Sequence, residues 1–206
     1  MKTSTNTNPQ TKLPKIVSKD DIISLPNQHL RQRSQKVGLI TDQIKQLAAD
    51  METAVHDWDA SRPHEVTVAL AAIQIDQPLR VVIVRDDFDA KVPARYSTLI
   101  NPEITKFEGP MDSDFEGCLS IKSVYGKVPR YSKVRVKALD INGKEIRYKA
   151  EGFLARVLQH EIDHTNGIVF VDHIKDDSEA FFELNKDGKL EPLDHDQDIK
   201  KNRILW

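Results

Sequence analysis

The sequence predicts an α+β fold, and three observations carry that expectation. Apolar residues recur at helical spacing in two stretches, one after Thr41 and one after Glu151. Between them lie several short β-prone runs punctuated by Gly, Pro and Asn, an order that favours short, mostly antiparallel sheets over alternating parallel units. The second stretch contains His160-Glu161-Ile162-Asp163-His164. On a helix its two imidazoles share a face, where both can ligate one metal ion. The sheets are therefore expected to pack around a central metal-binding helix, with an amphipathic helix nearer the N-terminus.

Composition bounds the function. The chain has 206 residues, 39% of them hydrophobic, with 30 Lys and Arg against 32 Asp and Glu for a net charge of -2. One compact domain with extensions fits that length. There is no basic excess of the kind a nucleic-acid-binding domain shows. No apolar run reaches the ~18 residues of a membrane span, and no apolar core follows Met1-Lys2 as a secretory signal requires. A cytoplasmic location is expected. The single cysteine, Cys118, can form no internal disulfide. It is either a small buried hydrophobe or a metal ligand.

Residues 1–20 are rich in Thr, Asn and Lys and are expected to form a disordered tail. Residues 21–174 are expected to form the catalytic domain. From Thr41, Ile44, Leu47, Ala48, Met51, Val55 and Trp58 follow a helical period, with Thr41 or Asp42 as N-cap. His56 and His64 read as surface or packing histidines. Thr67 to Gln74 leads into a turn at Asp76-Gln77-Pro78 and a strand over residues 79–84. Gln74 is either a surface amide or a donor aimed at a reacting carbonyl.

Residues 97–107 read as a strand pair interrupted at Asn101-Pro102, followed by turns at Gly109-Pro110 and near Gly126 that flank Glu116-Gly117-Cys118-Leu119-Ser120. Val134 to Leu139, Asn142-Gly143 and Ile146 to Tyr148 read as a hairpin. The second helix spans residues 151–165 and stops at Asn166-Gly167. Phe153, Val157, His160 and His164 lie on one face, so Phe153 and Val157 either line a pocket beside the histidines or pack in the core. Residues 168–171 read as a short strand. Residues 175–206 form an acid-rich extension whose Phe181, Phe182, Leu184, Leu190, Ile204, Leu205 and Trp206 are expected to dock on the body or on a second copy, with Asp187-Gly188 as a hairpin turn.

A catalytic transition-metal site needs three protein ligands and an open position. His160 and His164 supply two; the third is an acidic residue downstream or Cys118. The longer pattern ending in a third histidine is not met, because Phe170 stands where that histidine would be. Glu161 sits where a general base belongs. Arg130, after Pro129, is expected to pair with Glu116 and hold the cysteine loop.

Three ordered motifs resemble the peptide deformylase family: residues 67–74 (Thr-Val-Ala-Leu-Ala-Ala-Ile-Gln), Glu116 to Ser120, and His160 to His164. The last two match the family pattern in full. In the first, Thr67 and Ala69 replace glycines. The resemblance implies a metal held by Cys118, His160 and His164, typically Fe²⁺ with Zn²⁺, Ni²⁺ or Co²⁺ as substitutes. It implies Glu161 as proton carrier, with the Gln74 amide and the Leu119 backbone N-H as the oxyanion hole. Val68 and Ala69 would lie along an extended substrate, with Val157 and Phe153 beside it. The implied reaction removes the N-formyl group from the formyl-methionine of new polypeptides and releases formate. Implied partners are N-formyl-methionyl peptides, nascent chains and the ribosome. Two alternatives stand beside it: an impaired deformylase-like binder of peptide N-termini, and an H-E-x-x-H metallopeptidase.

Overall fold

The computed structural model describes residues 17–62, 66–89 and 93–201. Most of the expected disordered tail (residues 1–16), His64, and Ile204 to Trp206 lie outside these. Val17 already packs against the core, and the Lys19 N-H donates to Asp57 Oδ2 at 3.0 Å.

The first long helix, α1, spans Asp42–Ser61 and buries Ile44, Leu47, Ala48, Met51, Ala54, Val55 and Trp58, the face its 3.6-residue period dictates. Thr41 is its N-cap residue in extended backbone, but its side chain makes no capping bond. The strands follow: β1 (Ala69–Ala71), β2 (Val81–Arg85), β3 (Tyr96–Cys118), β4 (Ile121–Leu139) and β5 (Glu145–Glu151). Helix α2 spans Gly152–Thr165, and β6 (Phe181–Leu184) and β7 (Leu190–Pro192) close the sheet. All strand pairings are antiparallel, in the order β1-β2-β3-β4-β6-β7 with β5 also on β4. This is an α+β fold.

Two strands exceed the expected short runs. β3 has 23 residues and β4 has 19, and their pairing shifts register at four places. Each shift bends the ribbon, so the far half of β4 can pair with β5 while its near half pairs with β6. Gly109-Pro110 is one of these irregularities rather than a turn: Gly109 has φ +75° and the strand continues past it. The true reversal is the two-residue link Leu119-Ser120. Residues 168–171 do not form a strand either; Phe170–His173 is a 3-10 turn whose Phe170 and Val171 are buried. A four-residue apolar run fits both.

The sheet is sandwiched at β1 and β2. Leu70, Val81 and Ile83 face α1, whereas Ala69, Ala71, Val82 and Val84 face α2. Burial on both faces explains the unbroken Val-Val-Ile-Val run. Helix α2 is buried nearly all round, from Ala155 to Thr165. It stops at Gly167, whose φ is +78° and whose absent Cβ would lie 2.4 Å from the Arg31 carbonyl oxygen. A third cluster joins Ile121, Val124 and Val128 to Phe170, Phe181 and Ile199, so part of the extension docks on the chain's own body.

Candidate metal centre

Helix α2 presents His160 and His164 four residues apart, their Nε2 atoms separated by 3.2 Å. The end of β3 brings Cys118 to them, with Sγ 3.3 Å from His164 Nε2. All three donor atoms lie within 4.8 Å of one another. Two ligands on Zn-N-like bonds of about 2.1 Å at tetrahedral angles stand about 3.4 Å apart. The spacing and the chemistry of one sulfur with two imidazoles therefore fit a borderline-soft divalent ion and not magnesium or calcium.

The tautomer needed for ligation is set by Glu116. His160 Nδ1 lies 2.9 Å from Glu116 Oε2, so Nδ1 carries the proton and Nε2 keeps its lone pair. Arg130 grips Glu116 in a fork, Nε to Oε1 at 2.9 Å and Nη2 to Oε2 at 3.1 Å. Arg156 adds a bond to Oε1 at 2.9 Å and also donates to the Val128 and Asp112 carbonyls at 2.7 and 2.8 Å. Burial alone would favour the neutral Glu116 acid, but the hydrogen bonds from His160 and Arg130 outweigh it and hold the carboxyl well below the usual range. Arg130 also donates to Asp163, and Asp163 Oδ2 lies 2.7 Å from His173 Nε2. His173 is thus tied to this network and not to the cysteine-histidine cluster.

Glu161 points a different way. It is 5% exposed, and its Oε2 has no hydrogen-bond partner among the described residues. Burial pushes its carboxyl up to about 7, only partly opposed by the nearby His160. A buried carboxyl poised there and facing a cavity is suited to proton transfer near neutral pH. Gln74 is fixed at both ends. Its Oε1 accepts the Ala71 N-H at 2.9 Å, which turns its Nε2 toward Ser120 Oγ at 3.2 Å and Cys118 Sγ at 3.5 Å.

These groups open into one cavity of about 460 Å³. Gln74, Cys118, Leu119, His160 and Glu161 line it, as do Val68, Ala69, Phe153 and Val157. Val157 also belongs to the core beneath α2, so for it both sequence readings hold. Phe153 is half exposed and meets Phe88 edge to face at 4.9 Å. Thr67 and Ala69 line the cavity, and neither has a positive φ. Thr67 is held by its N-H to Asp59 Oδ1 at 2.8 Å and by its carbonyl, which accepts from the Tyr96 hydroxyl at 3.0 Å.

The supporting roles of several residues were not evident from the sequence. Arg156, Ser120, Asp163 and Gln159 buttress the site; Gln159 bonds both backbone groups of Tyr131, at 3.1 and 2.8 Å. Their cross-element partners Tyr131, Arg130, Glu116 and Gln74 lie 28 to 46 residues away in the chain. Ser120 and Asp163 stand inside the two motifs that match in full, but nothing local in the sequence marked Arg156 or Gln159.

A family profile for polypeptide deformylases matches residues 19–180. The chain is 44% identical to a peptide deformylase of Thermomicrobium roseum over 160 residues, which is 76% of this chain and 86% of that protein. It also superposes on a peptide deformylase crystal structure from Legionella pneumophila with TM-score 0.63 and 38% identity, covering 74% of this chain and 83% of that one. A peptide deformylase structure from Ehrlichia chaffeensis gives TM-score 0.67 at 28% identity over 92% of this chain and 96% of that one.

Proposed function

The chain belongs to the polypeptide deformylase family, and from that premise we propose how its residues divide the work of releasing formate from N-formyl-methionyl peptides. The activity is metal-dependent hydrolysis of the formamide C-N bond, and the Cys-His-His cluster is the metal site. Cys118, His160 and His164 hold the ion, with Fe²⁺ as the native metal. When bound, the ion supplies Lewis-acid polarisation and makes water a nucleophile near neutral pH.

The chain's own groups do the rest. Glu161 takes a proton from the attacking water and passes it to the departing amine nitrogen. One water is consumed, the C-N bond breaks, and formate and a free α-amino group result. Gln74 Nε2 and the Leu119 N-H donate to the oxygen of the formyl group as it gains charge, each donor contributing roughly 10²- to 10³-fold in rate. Val68 and Ala69 align the extended peptide, and Val157 and Phe153 flank the side chain of its first residue. Glu116, with Arg130 behind it, orients His160.

We further propose that residues 21–174 form the catalytic domain, that residues 175–206 are an accessory extension, and that the enzyme acts in the cytoplasm on nascent chains at the ribosome. No helix among the described residues is long and apolar enough to cross a membrane. The observation that carries the mechanism is the clustering of three ligand atoms beside a cavity that Cys118 and His160 line together with Glu161, whose buried Oε2 is unpartnered, and the anchored amide of Gln74. Anaerobically purified, iron-loaded protein should release formate from a formyl-Met peptide. Intact, metal-bound protein that releases none refutes the assignment.

A further inference from the structure

The match to the deformylase profile ends at residue 180, one residue before β6 begins. Yet the β6-β7 hairpin contributes to the catalytic cavity: Leu184, Gly188 and Leu190 line it together with Gln74 and Glu161. The sheet register explains how. Successive side chains on a strand point to opposite faces. Phe181 points into the core beside Phe170, so Phe182 and Leu184 alternate with it. Phe182 pairs with Pro192 and Leu184 with Leu190, which puts an unbroken apolar surface on one face of the hairpin.

That face is continuous with the wall of the catalytic site. Tyr125 of β4 is the cross-strand partner of both Phe182 and Gly117, the residue just before Cys118. Phe182 meets Phe115 edge to face at 4.9 Å. Gly117 keeps the strip smooth, since a Cβ there would stand 2.6 Å from the Tyr125 ring. Leu184 and Leu190 are only partly buried and belong to none of the three core clusters. Two leucines facing a cavity without core partners are better explained by what enters that cavity than by folding.

We propose that the β6-β7 hairpin forms an apolar subsite for the third residue of the substrate, through Leu184 and Leu190. The proposal rests on the deformylase reading. An extended peptide sends its first and third side chains to the same side, about 6.6 Å apart, and its second to the other. With the formylated residue held beside Val157, the third side chain is the next to point into the cavity. The enzyme thereby prefers Leu, Ile or Phe over polar residues at position three.

The test compares kcat/KM for formate release from formyl-Met-Ala-Leu and formyl-Met-Ala-Ser peptides, using the full chain with its metal. The parent should favour Leu by on the order of tenfold, the effect of half-burying one leucine side chain. Leu190→Gln should bring the ratio toward one. Leu184→Lys should shift preference to formyl-Met-Ala-Asp, a gain that misfolding cannot imitate. Glu183→Ala, on the opposite hairpin face, should keep the parent ratio. A parent ratio near one, or a ratio unchanged in both leucine variants, overturns the proposal. So does a parent dimer that Leu184→Lys makes monomeric with the ratio intact, since the occupant would then be a second copy. Release from no peptide at all would instead refute the deformylase reading.

Discussion

Two acids at the centre, Glu116 and Glu161, do opposite things because their surroundings differ. Glu116 is clamped by Arg130, Arg156 and His160 and stays ionised, whereas Glu161 is buried with an unpartnered oxygen. Glu161→Ala should therefore keep its metal, as read by elemental analysis, and lose about 10²- to 10⁴-fold in kcat. Activity within tenfold of the parent would show that the carboxyl is not the proton carrier. Glu116→Gln removes the charge that matches two guanidinium groups and the acceptor that orients His160. Metal affinity should fall about 10- to 100-fold in a chelator competition. Tyr96 offers a pH test away from the metal. Its hydroxyl donates to the Thr67 carbonyl, and burial, reinforced by Asp59, pushes its pKa up to about 12. The folded state thus resists ionisation, so its stabilisation is full below about pH 10 and lost as pH rises toward 12. Partial solvent access reduces the effect to on the order of 1 kcal/mol. Denaturant titrations of parent and Tyr96→Phe at pH 8 and 11.5 should show the parent losing that much more; equal losses would remove the assignment.

At the scale of elements, the site depends on where α2 stops, and Gly167 sets that stop. Gly167→Ala combines a left-handed residue, costing about 1–2 kcal/mol, with a Cβ driven into the Arg31 carbonyl. Backbone cannot swing aside as a side-chain tip can, so the total should exceed 2 kcal/mol and lower Tm by at least 4 °C in a scanning experiment. A shift under 2 °C would mean the loop at Arg31 moves freely. The helix and its glycine were legible in the sequence because both signals are local: apolar spacing along residues 153–164, then Asn166-Gly167. The Glu116 to Ser120 run was legible for the same reason. What the sequence hid is non-local. Nothing near Gly109-Pro110 announces a bulge in a 23-residue strand, because the bulge is defined by the partner strand. Arg156 looked like one more charge on a helix. It is buried because carbonyls from β3 and β4 surround it, 28 and 44 residues away.

For the whole molecule, the question is how far the fold depends on the ion. Small zinc modules unfold without metal because they have little else to hold them. Here three apolar clusters, one under α1, one under α2 and one under the C-terminal segment, are complete without any ligand atom among their fully buried members. The metal cluster also has its own protein scaffold, since Glu116 and its arginines fix His160 and the Leu119-Ser120 link fixes Cys118. The ion should therefore add to stability without creating the fold. Free metal at a hundred times its Kd adds about 2.7 kcal/mol. For a chain of this length that corresponds to roughly 5–10 °C in Tm. Stripping the protein with a chelator should lower Tm by about that amount and abolish formate release, while the transition stays cooperative and the far-ultraviolet circular dichroism is unchanged. Loss of the cooperative transition on chelation would show that the thiolate and imidazoles, brought within 4.8 Å of one another, need the ion to stay there.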